Sequence, residues 1–279
     1  TAPEGYSGAP ILLYVRAAPG AGSTAPRFLY LDPSGDKDGG YHLREVAPVT
    51  DQSVPMGDAR RQFNLATGRS WGRFAILPTS MAIHSNGYVV AVNSSCDHLL
   101  ILALPTGSSA DADAPWASAP LQPGTAPGRL LAPALVAIRP DQTMLVLEAG
   151  NQRIQAFSRG GHPVPVFSGR TPSFWFPLIS HAAPNKTLYL SMSVDVANYA
   201  FVLSQVGNGY DAGDFYLDVY TPTGTILFSQ QGLNAAGLTV DLWRNLYTLN
   251  YQQIAGPGGR PEPSISEYTP STPKPTPFS

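Results

Sequence analysis

The chain has 279 residues, a formal net charge of −2 at pH 7 and 43% hydrophobic residues, enough for a full core. Near-neutral charge gives no reason to expect a nucleic-acid partner, and without an apolar run of about 18 residues the sequence predicts no membrane-spanning helix. A single cysteine excludes an intrachain disulfide and a cysteine-cluster metal site. The 28 prolines and 27 glycines predict frequent turns, and therefore a chain of strands rather than long helices.

The N-terminal part of the chain predicts three strands after a loose, polar lead-in at residues 1–9. The strands are expected at Ile11–Val15, within Arg27–Gly35, and at Tyr41–Val46, each bounded by turn residues. Residues 47–71 are less regular, and the FNLATGRSWG stretch at their end is a candidate outer strand.

Residues 78–102 form a unit that recurs in the chain. Shifted by 55 positions, they fall on residues 133–157 without a gap. The aligned pairs include Pro78 with Pro133, Ala82 with Ala137, Ile83 with Ile138, and Leu99 with Ile154. An internal match at a fixed period indicates a repeat architecture, and it needs no outside family to support it.

A loop at residues 105–127 separates the two copies. It is rich in Ser, Ala, Asp and Pro and contains Trp116. Because it exceeds about 20 residues, it is long for a compact domain, and we expect it to be mobile or functional.

The second copy contains short apolar runs between turn signals, which is typical of buried strands. The runs are Leu135–Ile138, Met144–Leu147 and Ile154–Phe157, with Val164–Phe167 as a candidate fourth strand. Three or four antiparallel strands in about 40 residues correspond to one blade of a β-propeller.

The following copy is weaker. Its first strand is expected at Leu178–His181, its second at Leu188–Ser191 and its third at Phe215–Tyr220. Ser193–Gly213 then becomes an insertion with its own apolar run, Tyr199–Leu203.

The last copy is expected to use Leu238–Leu242, Asn245–Leu249 and Ile265–Tyr268, with the loop Ala255–Pro263 before its third strand. Residues 273–279 form a Pro/Thr-rich tail, which is typical of a linker or stalk.

The second copy resembles the NHL repeat, a β-propeller repeat. The matching residues are Gly128, Pro133, Asn151, Arg153, Ile154 and Phe157, whereas Glu148 replaces the consensus Asp and Gln142 the turn Gly. The resemblance implies an all-β, NHL-like β-propeller over residues 10–272. Recurrent third-strand endings (YLDPSG, LALPTG, FSRGG, VYTPTG and EYTPST) favour five blades, or six if residues 47–75 hide one more. We interpret Asn151 and Arg153 as structural, with Arg153 tying neighbouring blades.

A polar position ends the second strand of several copies. It holds Asn93, Glu148 and Asn250, with Met192 in the weak copy. Oxygen ligands at one mouth of a propeller could hold a divalent cation such as calcium, as a loose resemblance to gluconolactonase-type propellers implies. The alternative is an ordinary strand-to-turn position, where Asn is common.

The end of the first strand holds His84, Arg139, His181 and Asp241. Two histidines there would suit zinc, as a resemblance to amidating-lyase propellers implies, although those enzymes use three histidines. The alternative is that these are turn or surface residues. Cys96 stands beside Asp97 and His98, but adjacent strand residues point to opposite faces, so a working nucleophile dyad is not expected from this run. The alternative is a small turn residue.

Aromatic residues are plentiful in a chain with only 13% charged residues. The candidates for a loop-borne binding surface are Trp116, Trp175, Tyr210 and Tyr251. The alternative is packing between blades.

The leading hypothesis is a non-catalytic scaffold module that binds a protein or glycan partner through loops. It would be part of a larger surface, secreted or phage-tail-like assembly, without a cofactor. The alternative is a metal-dependent hydrolase or lyase of the gluconolactonase-like type, which would use the Asn93, Glu148 and Asn250 set.

Overall fold

The computed structural model describes fourteen segments of the chain: 12–17, 26–32, 41–46, 69–74, 78–84, 88–94, 97–103, 117–119, 123–168, 171–207, 214–233, 235–241, 243–252 and 262–268. Regular structure in them is β-strand, apart from a 3-10 turn at Pro184–Lys186. No helix within these segments could cross a membrane. The lead-in at residues 1–9, the tail at residues 273–279 and Cys96 lie outside them.

The chain divides into two compact units. One consists of Thr1–Ala91 with Leu100–Ser118, and the other of Val92–Leu99 with Ala119–Ser279. The sheets are antiparallel throughout and follow one another along the chain. The all-β prediction is therefore confirmed.

The first sheet has the order β1-β2-β3-β4. Its strands are β1 (Leu12–Ala17), β2 (Pro26–Asp32), β3 (Tyr41–Val46) and β4 (Arg69–Phe74). The three predicted strands are confirmed. The candidate outer strand pairs with β3 and so completes this sheet.

The second sheet has the order β5-β6-β7-β8. Its strands are β5 (Ser80–His84), β6 (Tyr88–Asn93), β7 (His98–Ala103) and β8 (Ala117–Ala119). The first three fall where the 55-residue shift predicted them. The fourth lies inside the stretch predicted to be a loop, because Ala-Ser-Ala carries no apolar strand signal.

The third sheet has the order β14-β11-β10-β9. Its strands, with the hairpin inserted before the last, are β9 (Pro133–Ile138), β10 (Met144–Glu148), β11 (Arg153–Phe157), β12 (Val166–Ser168), β13 (Thr171–Ser173) and β14 (Trp175–Pro177). The first three strands confirm the predicted runs.

The candidate fourth strand at Val164–Phe167 is confirmed only in part: β12 begins at Val166, but it pairs with β13 and is not the fourth strand of the third sheet. The Val164 N–H donates to the Ala156 carbonyl (2.9 Å), but this pairing with β11 does not continue. Pro163 and Pro165 have no N–H to donate, so the ladder stops. The chain turns out into the β12–β13 hairpin, and β14 takes the place beside β11.

The fourth sheet has the order β15-β16-β17-β18. Its strands are β15 (Thr187–Val194), β16 (Ala200–Val206), β17 (Asp214–Tyr220) and β18 (Ile226–Gln231). The predicted third strand is confirmed. The predicted first strand at Leu178–His181 is wrong, and the supposed insertion contains the second strand, β16.

The fifth sheet has the order β19-β20-β21, with β19 (Gly237–Val240), β20 (Leu246–Gln252) and β21 (Glu262–Tyr268). All three follow the prediction for the last copy.

Successive sheets pack face to face within the second unit. One apolar cluster joins Leu147 of the third sheet to Val202 and Tyr220 of the fourth, and another joins Val219 to Leu238 of the fifth. The first strands are also in contact in succession, β9 with β15 and β15 with β19. This is how the blades of a β-propeller pack, innermost strand beside innermost strand.

Candidate functional site

A five-residue turn recurs where strands end in the second unit. It occupies residues 139–143, 158–162, 195–199, 221–225 and 241–245. In each of these, the N–H of the first residue donates to the carbonyl oxygen of the fifth over 2.7–3.1 Å. The fourth residue has φ between 65° and 82°. Because the backbone is fixed this way, the first side chain leaves each sheet from an equivalent place.

The fourth position explains two features of the sequence. Gly161 and Gly224 fill it after the third strands, where the FSRGG and VYTPTG endings predicted turns. Gln142 fills it in the third sheet with φ of 72°, so a glutamine adopts the conformation for which the NHL consensus uses glycine.

The first position of the turn has a charged side chain in the turns that follow β9, β15 and β19. In the fourth and fifth sheets it holds Asp195 and Asp241, whose Oδ1 atoms accept two backbone N–H groups of their own turns over 2.9 Å and 2.8 Å respectively. In the third sheet it holds Arg139, and the carboxylate moves to Asp141, whose Oδ1 accepts the N–H of Thr143 (2.9 Å). A guanidinium therefore stands where the other two turns have a carboxylate.

A cavity of about 520 Å³ opens beside this guanidinium. Its walls come from the 139–143 turn, the segment after β11 and the 221–225 turn. The apolar part of the wall consists of Ala156, Val164, Val166 and Pro222, and polar side chains include Asp141, Ser158, Arg159 and Thr223. A volume of this size accommodates a small organic ligand or the end of a peptide.

Arg139 is the buried charge of this cavity, at 7% exposure. Its Nη2 donates to the carbonyl oxygen of Pro222 (2.9 Å), and its enclosed Nε has no hydrogen-bond partner within the fourteen described segments. Among the described residues no carboxylate forms an ion pair with it. Burial lowers the pKa of Arg139, and the Asp141 carboxylate nearby opposes that shift. The site is thus a desolvated cation with the Asp141 carboxylate nearby but without an ion-pair partner in the part of the chain that the structure describes.

Glu148, a predicted cation ligand, is fully buried in a different environment. Its Oε1 accepts hydrogen bonds from Arg153 Nε (2.6 Å) and Gln155 Nε2 (3.1 Å). Its Oε2 accepts from the Leu131 N–H (3.0 Å) and from Asn151 Nδ2 (2.5 Å). Both carboxylate oxygens therefore already have partners within the chain.

Arg153 extends this network to the segment before β9. Its Nη1 donates to the Thr125 carbonyl (2.6 Å), its Nη2 donates to the Arg129 carbonyl (3.0 Å), and its guanidinium lies 4.4 Å from the ring centroid of Trp175. These contacts support the interpretation of Asn151 and Arg153 as structural. Among the described residues they tie β11 to the segment before β9 and to β14 of its own sheet, and the predicted tie to a neighbouring blade is not seen there.

The other predicted cation ligands lie in separate sheets. Asn93 is buried at the end of β6, and Asn250 lies within β20, where its Nδ2 donates to Ser266 Oγ (2.8 Å). Met192 lies on the first strand of its sheet rather than at the end of the second. No group of three His, Cys, Asp or Glu side chains in the described segments could hold a metal ion. The Asn93, Glu148 and Asn250 set remains a prediction.

Of the four aromatic candidates, the structure describes the side chain of one. Trp175 is half-buried in β14 under the Arg153 guanidinium. Trp116 and Tyr210 lie outside the described residues, and for Tyr251 only the backbone, in β20, is described. The loop-aromatic surface remains a prediction.

His181, predicted to end a strand, lies between β14 and β15. Its Nε2 is 2.9 Å from Oδ2 of Asp218, whose Oδ1 accepts a hydrogen bond from Ser229 Oγ (2.6 Å). Its ring stacks on Tyr216 with centroids 3.8 Å apart. The carboxylate stands between serine and histidine, whereas a nucleophilic triad needs the histidine in the middle. These side chains form a structural cluster.

Sequence reasoning named Arg139 only as the register equivalent of His84, His181 and Asp241, and it missed the cavity. The usable signal was the charge reversal at the first turn position, from aspartate to arginine. The predicted register hides this signal, because it begins the fourth sheet one strand too early and so assigns His181 to the position that Asp195 holds.

No model of a known protein family matches the chain, and no curated protein matches it. Among solved structures it is similar to a catalytically inactive virginiamycin B lyase from Staphylococcus aureus with quinupristin, with a TM-score of 0.47, 8% identity, and coverage of 93% of this chain and 84% of that one. It is also similar to a protein of unknown function from Bacteroides caccae (TM-score 0.47, 12% identity, 87% and 72% coverage). A third similar structure is a protein from Lactobacillus plantarum, with a TM-score of 0.40, 11% identity, and coverage of 88% of this chain and 83% of that one. At such low identities and TM-scores, these similarities carry no argument about activity, substrate or partner.

Proposed function

We propose that the chain is a non-catalytic, NHL-like β-propeller module that binds a protein or glycan partner through the loops that surround the Arg139 cavity. In this proposal the module belongs to a larger surface or secreted assembly. The observation that carries it is the cavity itself, because three turns from two adjacent sheets converge on one open volume beside a desolvated cation.

The chemistry of the cavity favours recognition over turnover. Its two cations, one carboxylate and apolar wall offer charge, hydrogen bonds and shape. A hydrolase of the serine or cysteine type needs a nucleophile beside a base, and a metal-dependent one needs a cluster of ligands. The polar residues that line this cavity supply neither pair nor cluster.

The proposal is tested by screening the immobilised full chain against peptide and glycan arrays and repeating the screen with Thr223→Trp. Thr223 lies exposed on the cavity wall, so an indole there should block entry without changing charge. Thr225→Trp is the matched control, because Thr225 is exposed in the same turn but does not line the cavity.

We expect array ligands of one chemical class to bind the wild type and Thr225→Trp, and to bind Thr223→Trp at least tenfold more weakly. If Thr223→Trp and Thr225→Trp both bind the array ligands as tightly as the wild type does, recognition occurs away from the cavity and the proposal is overturned. Multiple turnover of a bound ligand would replace the binding module with an enzyme.

A further inference from the structure

We propose that the Arg139 cavity is a carboxylate-binding site whose ligand is a monocarboxylic acid with an apolar body. This inference rests on the proposed function, since it names the chemistry of the group that the same cavity recognises. The relevant ligands are a free organic acid or the C-terminal carboxylate of a peptide.

The need for an anion follows from the state of Arg139. A buried guanidinium normally has its charge matched by a nearby carboxylate and its N–H groups matched by acceptors. Here one hydrogen bond reaches the Pro222 carbonyl, Nε has none, and no described carboxylate pairs with the group. An anion entering the cavity would supply the missing charge and acceptors.

The structure of the turn does not require a guanidinium at its first position. Aspartate holds the equivalent position in the fourth and fifth sheets and accepts the turn's own N–H groups. In the third sheet Asp141 accepts the Thr143 N–H instead. The hydrogen bonds of the turn therefore do not need the Arg139 side chain, which instead reaches the Pro222 carbonyl at the cavity wall.

A carboxylate fits the donors better than a phosphate does. Phosphate sites usually present several free backbone N–H groups. The backbone N–H groups of Arg139, Gln142 and Thr143 all donate within their turn, as do those of Ser158 and Gly161 in theirs. The charged donors that remain are two guanidinium groups, that of Arg139, which is buried, and that of Arg159, which is exposed. The planar geometry of the buried one suits one carboxylate. Asp141 adds a negative charge that disfavours a dianion.

The apolar wall defines the rest of the ligand. Ala156, Val164, Val166 and Pro222 present carbon to the cavity, and the volume of about 520 Å³ exceeds what a carboxylate alone would fill. An aliphatic or aromatic group attached to the acid would cover this wall and exclude water from the ion pair.

The test measures binding of 3-phenylpropionate to the full chain by calorimetry and thermal shift, beside its amide and inorganic phosphate. A short peptide ending in a free Phe carboxylate and its C-terminally amidated form distinguish the peptide source from the free acid. The variants are Arg139→Met, Arg139→Lys and, as a matched loss of one positive charge, Arg129→Met. Arg129 is exposed and does not line the cavity.

We expect the acid to bind the wild type and Arg129→Met alike. Arg139→Met should weaken binding at least tenfold, and Arg139→Lys should weaken it less. The amide and phosphate should bind at least tenfold more weakly than the acid. Arg139→Met should melt no lower than the wild type by more than a few degrees, because the desolvation cost disappears with the charge. A residue held only for structure would instead lower the melting temperature markedly.

Equal binding of acid and amide, or equal binding by the wild type and Arg139→Met, would overturn the inference. If no acid binds while array ligands still discriminate Thr223→Trp from Thr225→Trp, the proposed function stands and the carboxylate assignment fails. If Thr223→Trp leaves array binding unchanged, the proposed function fails first. If only the free-ended peptide binds, the ligand is a chain terminus rather than a free acid.

Discussion

Glu148 is a fully buried charge, and its environment shows why the chain tolerates it. Transferring a carboxylate from water costs several kcal/mol unless it is paired and hydrogen-bonded. Arg153 supplies the counter-charge at 2.6 Å, and Gln155, Asn151 and the Leu131 N–H complete the coordination. A single side chain of β10 thereby holds β11, the turn between β10 and β11, and the segment before β9.

The Glu148→Gln variant tests this role. The amide keeps the shape but leaves the buried Arg153 guanidinium without its counter-charge. Its NH₂ group would also face N–H donors where a carboxylate oxygen now accepts their hydrogen bonds. We expect a loss of about 3–5 kcal/mol in the free energy of unfolding, the usual cost of breaking a buried pair from one side. Urea denaturation measures it. The exposed Glu267→Gln should change stability by less than about 0.5 kcal/mol, and an equal effect of both substitutions would refute the argument.

For the network around Glu148, the sequence predicted that Asn151 and Arg153 are structural, but it did not predict which residues they contact. The NHL-like positions of Asn151 and Arg153 indicated structural residues, and the structure places both on Glu148. Glu148 itself was a candidate cation ligand, because acidic residues after strands suit both uses. The two uses are distinguished only by where Gln155 and the 125–131 segment lie around the carboxylate. The contacts of this network span up to 28 residues along the chain, which no local sequence pattern reveals.

Strands were predicted from apolar runs. The prediction holds where the run lies in a paired strand, and it fails where the run is buried without pairing in a sheet. The predicted strand at Leu178–His181 shows the failure most clearly. Leu178 is buried in the core cluster, and the Ile179 N–H donates to Tyr220 Oη (3.0 Å), yet the segment pairs with no strand. By contrast, most residues of β15 are only half-buried, so its signal was weak. Burial, not strand pairing, produced the apolar pattern.

The 221–225 turn joins two sheets through Gly224. A Cβ at this position would overlap the Phe176 side chain of β14, so the turn packs its backbone directly on the third sheet. Gly224 also has φ of 82°, which adds a backbone cost for any L-residue.

Gly224→Ala separates these effects when compared with Gly232→Ala. Gly232 has φ of 98° but no atom within 4 Å of an added Cβ, so its substitution carries the backbone cost alone, about 1–2 kcal/mol. We expect Gly224→Ala to cost about 1–3 kcal/mol more, because overpacking adds to the same strain. Thermal and urea unfolding measure the difference. Equal losses would show that the Phe176 contact yields freely.

At the scale of the whole molecule, the sequence predicted the order of sheets along the chain but not how many close a ring. The 55-residue shift located two consecutive sheets without any outside family. Within the second unit, β9, β15 and β19 contact in succession, as innermost blade strands do. Ring closure depends on how the two ends of the chain meet, which a repeat pattern does not encode, so the five-blade count stays a prediction.

Metal dependence distinguishes the binding module from the hydrolase or lyase alternative for the full chain. Glu148 is the charged member of the predicted set with Asn93 and Asn250, and a cation could bind it only by displacing Arg153 and the other donors. We therefore expect metal analysis to find less than one equivalent of calcium or zinc, and EDTA to leave the melting temperature unchanged. A fall in melting temperature with EDTA that calcium restores would contradict this. Asn250→Ala then locates the cation, because loss of the calcium response in that variant would assign it to the predicted set and bring the enzyme alternative forward.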